Sequence, residues 1–137
     1  MKTLFVLKYL LVVFLFSVTG CTDEITDTTF NVGKESNFTM GQLYSSGDGL
    51  YTLQMKEITD SRCPQGVECI WAGEVVLKGE WSNGSNKSSV ELHSVVKGSQ
   101  QQPLGYTIQI IDAQPYPKYG TPSKPEDLVI TLIIQKN

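Results

Sequence analysis

VVLKGEWSNGSNKSSVELH, residues 75–93, reads as a β-hairpin. Val75, Leu77, Gly79 and Trp81 alternate with Val76, Lys78 and Glu80, and Val90 and Leu92 alternate with Glu91 and His93. A period of two sends one set of side chains to one face of an extended strand and the other set to the opposite face. Between the runs lies SNGSNK, residues 82–87. Its Asn-Gly step is a strong hairpin cue, because both residue types tolerate the positive φ a tight turn needs.

Outward from this hairpin the same period recurs. Tyr51, Leu53 and Met55 alternate with Thr52, Gln54 and Lys56, and Tyr106, Ile108 and Ile110 with Thr107, Gln109 and Ile111. Leu128, Ile130, Leu132 and Ile134 alternate with Val129, Thr131 and Ile133, so this run is apolar on both sides and predicts a central strand. SSGDG at 45–49 predicts a turn that opens into a strand at Leu50. Residues 98–103 are a polar connection. Pro115, Pro117, Pro122 and Pro125 exclude a central strand and predict an exposed, stiffened loop. No segment carries a capped helical stripe. These readings predict an all-β fold: an antiparallel sandwich or barrel of about seven to eight strands, forming one domain over residues 30–137.

The chain has 137 residues, 40% hydrophobic and 18% charged, with net charge -3. That suits one domain and argues against a multi-domain enzyme, a polytopic membrane protein or a basic nucleic-acid binder. The apolar residues are concentrated at the start, where fourteen of the first twenty are hydrophobic. Lys2 and Lys8 frame and precede a ten-residue apolar run, YLLVVFLFSV at 9–18, too short to span a bilayer and of the length of an export signal. VTGC at 18–21 follows it directly. This resembles the bacterial lipobox, which implies cleavage after Gly20 and lipidation of the Cys21 thiol, with residues 1–20 as leader and 21–29 as a polar tether. Two or more acyl chains hold a protein stably on a membrane. Thr22, rather than Asp, after the cysteine implies sorting to the outer membrane, with the periplasmic or outer face unassigned. Without Lys2 and Lys8 the chain carries nine basic and fourteen acidic residues, so charge does not favour anionic partners. Asp27-Thr28-Thr29 resembles a bacterial O-glycosylation acceptor, and an unmodified tether threonine fits it as well.

One segment is dense with unusual residues: DSRCPQGVECIWAG, residues 60–73. In an oxidising compartment Cys63 and Cys69, six apart, can close a short loop through a disulfide, with Pro64 and Gly66 favouring the turn. The alternative is a metal site with the only histidine, His93; the spacing and the ligand number fit zinc poorly, so no metal and no cofactor are expected. Two readings of the loop stand side by side. In the structural one, Asp60 and Ser61 accept turn N–H groups, Arg62 pairs with a carboxylate or carbonyl, Trp71 covers the disulfide and Gly73 permits close backbone approach. In the functional one, Asp60, Arg62, Glu68 and Trp71, with Tyr116 from the proline-rich stretch, form a rigid recognition surface.

DSRCP, four residues, then CIWAG resembles a motif of a family of small secreted proteins and lipoproteins of bacteria. Such proteins also carry an early Gly-Gln pair, here Gly41-Gln42, and a late Pro-Tyr-Pro, here Pro115-Tyr116-Pro117. The resemblance implies a small exported module and no particular chemistry. With a single histidine and no nucleophile elbow, HExxH, P-loop or dinucleotide fingerprint, the sequence gives no sign of an enzyme. The expectation is a lipid-anchored binding module of the envelope, its partner an envelope protein or a glycan stacked on Trp71 or Tyr116. A loop-presenting protease inhibitor and a structural accessory subunit of the envelope are the alternatives.

Overall fold

A computed structural model describes residues 28–95, 102–121 and 123–137. The leader 1–20, Cys21, most of the 21–29 tether, Pro122 and most of the 98–103 connection lie outside the described residues. Eight strands follow in order: β1 (Thr29–Phe30), β2 (Glu35–Thr39), β3 (Leu43–Ser46), β4 (Thr52–Asp60), β5 (Val75–Ser82), β6 (Lys87–His93), β7 (Tyr106–Gln114) and β8 (Val129–Lys136). Short 3₁₀ turns at Pro103–Gly105 and Pro125–Asp127 are the only helical pieces among the described residues.

The strands form two sheets, ordered β1-β3-β4-β5-β6 and β2-β8-β7. All neighbours are antiparallel except the short pair β1–β3, which is parallel. The alternating residues read from the sequence face inward and fill one core between the sheets. Leu53, Met55, Leu77, Trp81, Val90 and Leu92 come from the larger sheet, and Phe38, Ile108, Ile130, Leu132 and Ile134 from the smaller. Fully burying a side chain of this size contributes roughly 1.5–3 kcal/mol. β8 is the central strand of its sheet, as its two apolar faces predict.

The 75–93 hairpin forms as read. Ser82 pairs with Lys87, Gly84 takes φ +84°, and Asn83 closes the loop by donating its N–H to the Asn86 carbonyl and accepting the Asn86 N–H on its side chain. One boundary differs. The strand expected at Leu50 starts at Thr52, and Ser45 and Ser46 belong to β3. The Ser46 hydroxyl accepts the Tyr51 N–H, and the Ser46 N–H donates to the Tyr51 carbonyl, so 46–51 is the turn.

Two bulges control which residues reach the far end of the core. In β4 the register against β5 shifts between Met55 and Glu57, and in β7 the register against β8 shifts between Ile110 and Asp112. Each extra residue reverses the in–out parity beyond it. Leu53 and Met55 point in, Lys56 and Glu57 both point out, and Ile58 returns to the core; likewise Ile108 and Ile110 point in, Ile111 and Asp112 out, and Ala113 in. Without its bulge, β4 would turn Asp60 to solvent.

Candidate functional site

The β4 bulge places Asp60 on the inner side at the end of its strand, and the β7 bulge does the same for Ala113. Asp60 and Arg62 meet there. Arg62 donates from Nε to Asp60 Oδ1 (2.8 Å) and from Nη2 to Asp60 Oδ2 (2.7 Å), a two-toothed grip reinforced by the Arg62 N–H on Oδ1 (3.1 Å). The remaining donors cross to the other sheet. Nη1 reaches the Ala113 carbonyl at 2.6 Å and Nη2 the Pro115 carbonyl at 3.0 Å. The Ser123 hydroxyl donates to Asp60 Oδ2 at 3.2 Å. Tyr116 lays its ring against the guanidinium, 4.6 Å from ring centre to Cζ. Burial alone pushes the Asp60 carboxyl up, but the Arg62 hydrogen bonds and charge, with the Ser123 hydroxyl, hold it below the usual carboxylate range. The Asp60 hydrogen bonds in turn raise the Arg62 pKa.

This cluster fastens two loops together. Beyond Arg62, Gln65 donates its N–H to the Pro117 carbonyl (2.9 Å) and accepts the Tyr119 N–H (3.2 Å). Within the first loop, the Ser61 N–H and hydroxyl both donate to the Glu74 carbonyl, the Glu74 N–H donates to the Ser61 hydroxyl, and the Cys63 N–H donates to the Ala72 carbonyl. Gly73 has φ +66° and lies against the Ser61 backbone, where a side chain would collide with the Ser61 carbonyl. Cys63 and Cys69 are disulfide-bonded, with Cα atoms 5.9 Å apart. Their sulfurs therefore bond to each other and not to a metal shared with His93. His93 lies instead between two carboxylates, its Nε2 3.4 Å from Glu91 and its Nδ1 3.2 Å from Glu74.

Of the five residues picked out for a recognition surface, the structure brings Asp60, Arg62 and Tyr116 together and turns the first two inward. The Asp60 and Arg62 side chains are 4% and 9% exposed, so neither is offered to a partner. Tyr116 has one ring face covered by Arg62. Glu68 and Trp71 are exposed. Trp71 keeps 81% of its surface in solvent, so it makes little cover for the disulfide. Its neighbour Ile70, which the sequence reading passed over, is 93% exposed. Val67, Val95 and Tyr119 add exposed apolar surface at the same end of the molecule. Behind Trp71 runs a shallow groove lined by Ser61, Gly73, Glu74 and Val95. Chemically, the site offers an apolar projection on a loop tied down by the disulfide and by the Ser61–Glu74 hydrogen bonds. No protein-family model matches the chain, and neither a curated protein nor a solved structure matches it.

Proposed function

We propose that the chain is a lipid-anchored, non-enzymatic binding module of the bacterial cell envelope, attached through Cys21 and making its contacts with the disulfide loop. The observation that carries this reading is the pair Ile70–Trp71, adjacent and almost fully in solvent, on a loop that is otherwise tied down. Large apolar residues held out in water cost free energy unless something covers them, and tryptophan is among the residues that dominate binding surfaces. The disulfide, the Ser61–Glu74 bonds and the Arg62 clasp hold the loop before contact, so little ordering entropy opposes binding. The lipobox-like VTGC supports the anchor, and Thr22, rather than Asp, after the cysteine supports the outer-membrane assignment.

Two variants test the reading. Cys21→Ser is expected to leave unprocessed precursor that loses stable lipid attachment; normal processing and detergent partitioning of that variant would remove the anchor from the proposal. Trp71→Ala is expected to abolish the contact, to lipid, glycan or protein, that crosslinking from the loop captures in intact membranes, while changing stability by no more than about 0.5 kcal/mol, as for other exposed sites. Retained contact with lost stability would make the loop purely structural.

A further inference from the structure

We infer that the Ile70–Trp71 tip is a second membrane contact, inserting into the interface of the bilayer that holds the Cys21 lipid. The inference rests on the anchored reading above. β4 runs from Thr52 to Asp60, toward the disulfide loop; β3 is antiparallel to it and β1 parallel to β3, with Thr29 level with Ser45 and Ser45 with Thr52. The Ser45 and Gly47 N–H groups donate to the Thr28 and Phe30 carbonyls, fixing that direction over three residues. The described chain therefore runs away from the loop end, and Cys21 precedes it by seven residues.

The lengths are compatible. From the level of Leu53 to that of Asp60, allowing for the bulged residue, is about 20 Å at roughly 3.3 Å per residue. Seven residue intervals reach at most about 25 Å. Fully extended, that length reaches a little past the level of Asp60, where the disulfide loop starts, so a lipid on Cys21 can sit at the loop side of the body. The chemistry of that end suits the interface. Trp71 and Tyr119 are the aromatic types that populate the headgroup region, and Ile70 is an aliphatic side chain directly beside Trp71. The acid-rich chain argues against charge as the attraction, so the contact is taken as apolar and independent of anionic lipid.

The test uses the lipidated protein purified from membranes and reconstituted into phosphatidylcholine vesicles, with and without bromine on the acyl chains. Of the two tryptophans, Trp81 is fully buried, so Trp71→Phe supplies its emission as background. The expected result is a blue-shifted Trp71 emission that brominated chains quench and that is unchanged by salt, with Ile70→Ser reducing the quenching. Protein that floats with the vesicles while its Trp71 emission stays unshifted and unquenched overturns the inference and leaves the anchor standing. Protein that stays in the aqueous phase with an unmodified Cys21 by mass overturns the anchor and the inference together. Trp71 shielded only in native membranes, with a crosslink from position 71 to another protein, overturns it in favour of a protein partner.

Discussion

Gly73 packs backbone against backbone with Ser61, so closely that no side chain fits between them. The contact closes the base of the disulfide loop, where Ser61 and Glu74 exchange three hydrogen bonds.

Gly73→Ala is expected to destabilise the fold by more than Gly84→Ala does. Both glycines have positive φ, and the left-handed backbone alone costs an alanine about 1–2 kcal/mol. A methyl group at Gly84 meets nothing within 4 Å, whereas at Gly73 it strikes the Ser61 carbonyl. Urea melts of the two variants isolate the collision as the difference; equal losses would mean that the loop base relaxes freely.

Arg62→Ala removes one partner of a desolvated pair and leaves Asp60 without its grip. The expected loss is about 3–5 kcal/mol. Arg62→Lys keeps the charge but cannot hold both Asp60 oxygens and the Ala113 and Pro115 carbonyls at once, so it falls between wild type and alanine. Thermal denaturation of both variants checks the order.

Replacing Cys63 and Cys69 together by serine opens a seven-residue loop. The chain-entropy relation gives a loss of about 2 kcal/mol. Far-UV circular dichroism at room temperature is expected to stay that of a β protein, because the disulfide lies outside the two sheets. A collapse of the strand signal would make the staple a requirement for folding.

Acid should weaken the outer face of the larger sheet. Lys87 at 2.8 Å and Lys56 at 2.9 Å hold the Glu80 carboxyl down at about 2, against 4.5 for the free group. A depressed folded-state pKa adds stability above the unfolded value, and that addition is lost as pH falls from about 4.5 through about 2. Glu80→Gln is expected to flatten the pH dependence in that window. The effect is small because the pair is exposed to solvent, and it shrinks further with added salt.

The strands that carry long alternation were legible: the 75–93 hairpin, the two-faced β8, and the first halves of β4 and β7. β2 and β3 were not, because ESNFT and LYSS each offer few inward residues and no alternation that stands above chance. The bulges did leave a trace, a step of three after a step of two in Leu53–Met55–Ile58 and in Ile108–Ile110–Ala113. Followed through, it would have turned Asp60 inward. The close approach at Gly73 and the pairing of Arg62 with a carboxylate and with carbonyls were also readable. Which carbonyls was not, since Ala113 and Pro115 lie 51 and 53 residues away and a backbone oxygen has no sequence signature. Trp71 was open to two readings, as cover for the disulfide and as part of an exposed recognition surface, and only the fold shows that it is left in solvent.

The clasp made by Arg62 also couples two distant parts of the chain in time. The amides of Cys63, Gln65 and Tyr119 each donate to a carbonyl within the joined loops. The two loops cannot separate without breaking the Arg62 links to Ala113 and Pro115 together with the Gln65–Pro117 and Tyr119–Gln65 bonds. Separation of the loops is expected to be cooperative, so hydrogen exchange should report Gln65 and Tyr119 as one unit with a shared opening free energy, apart from Cys63, whose bond to Ala72 lies within the first loop. In Arg62→Ala, Gln65 and Tyr119 should exchange sooner, while Cys63 remains protected within the disulfide loop.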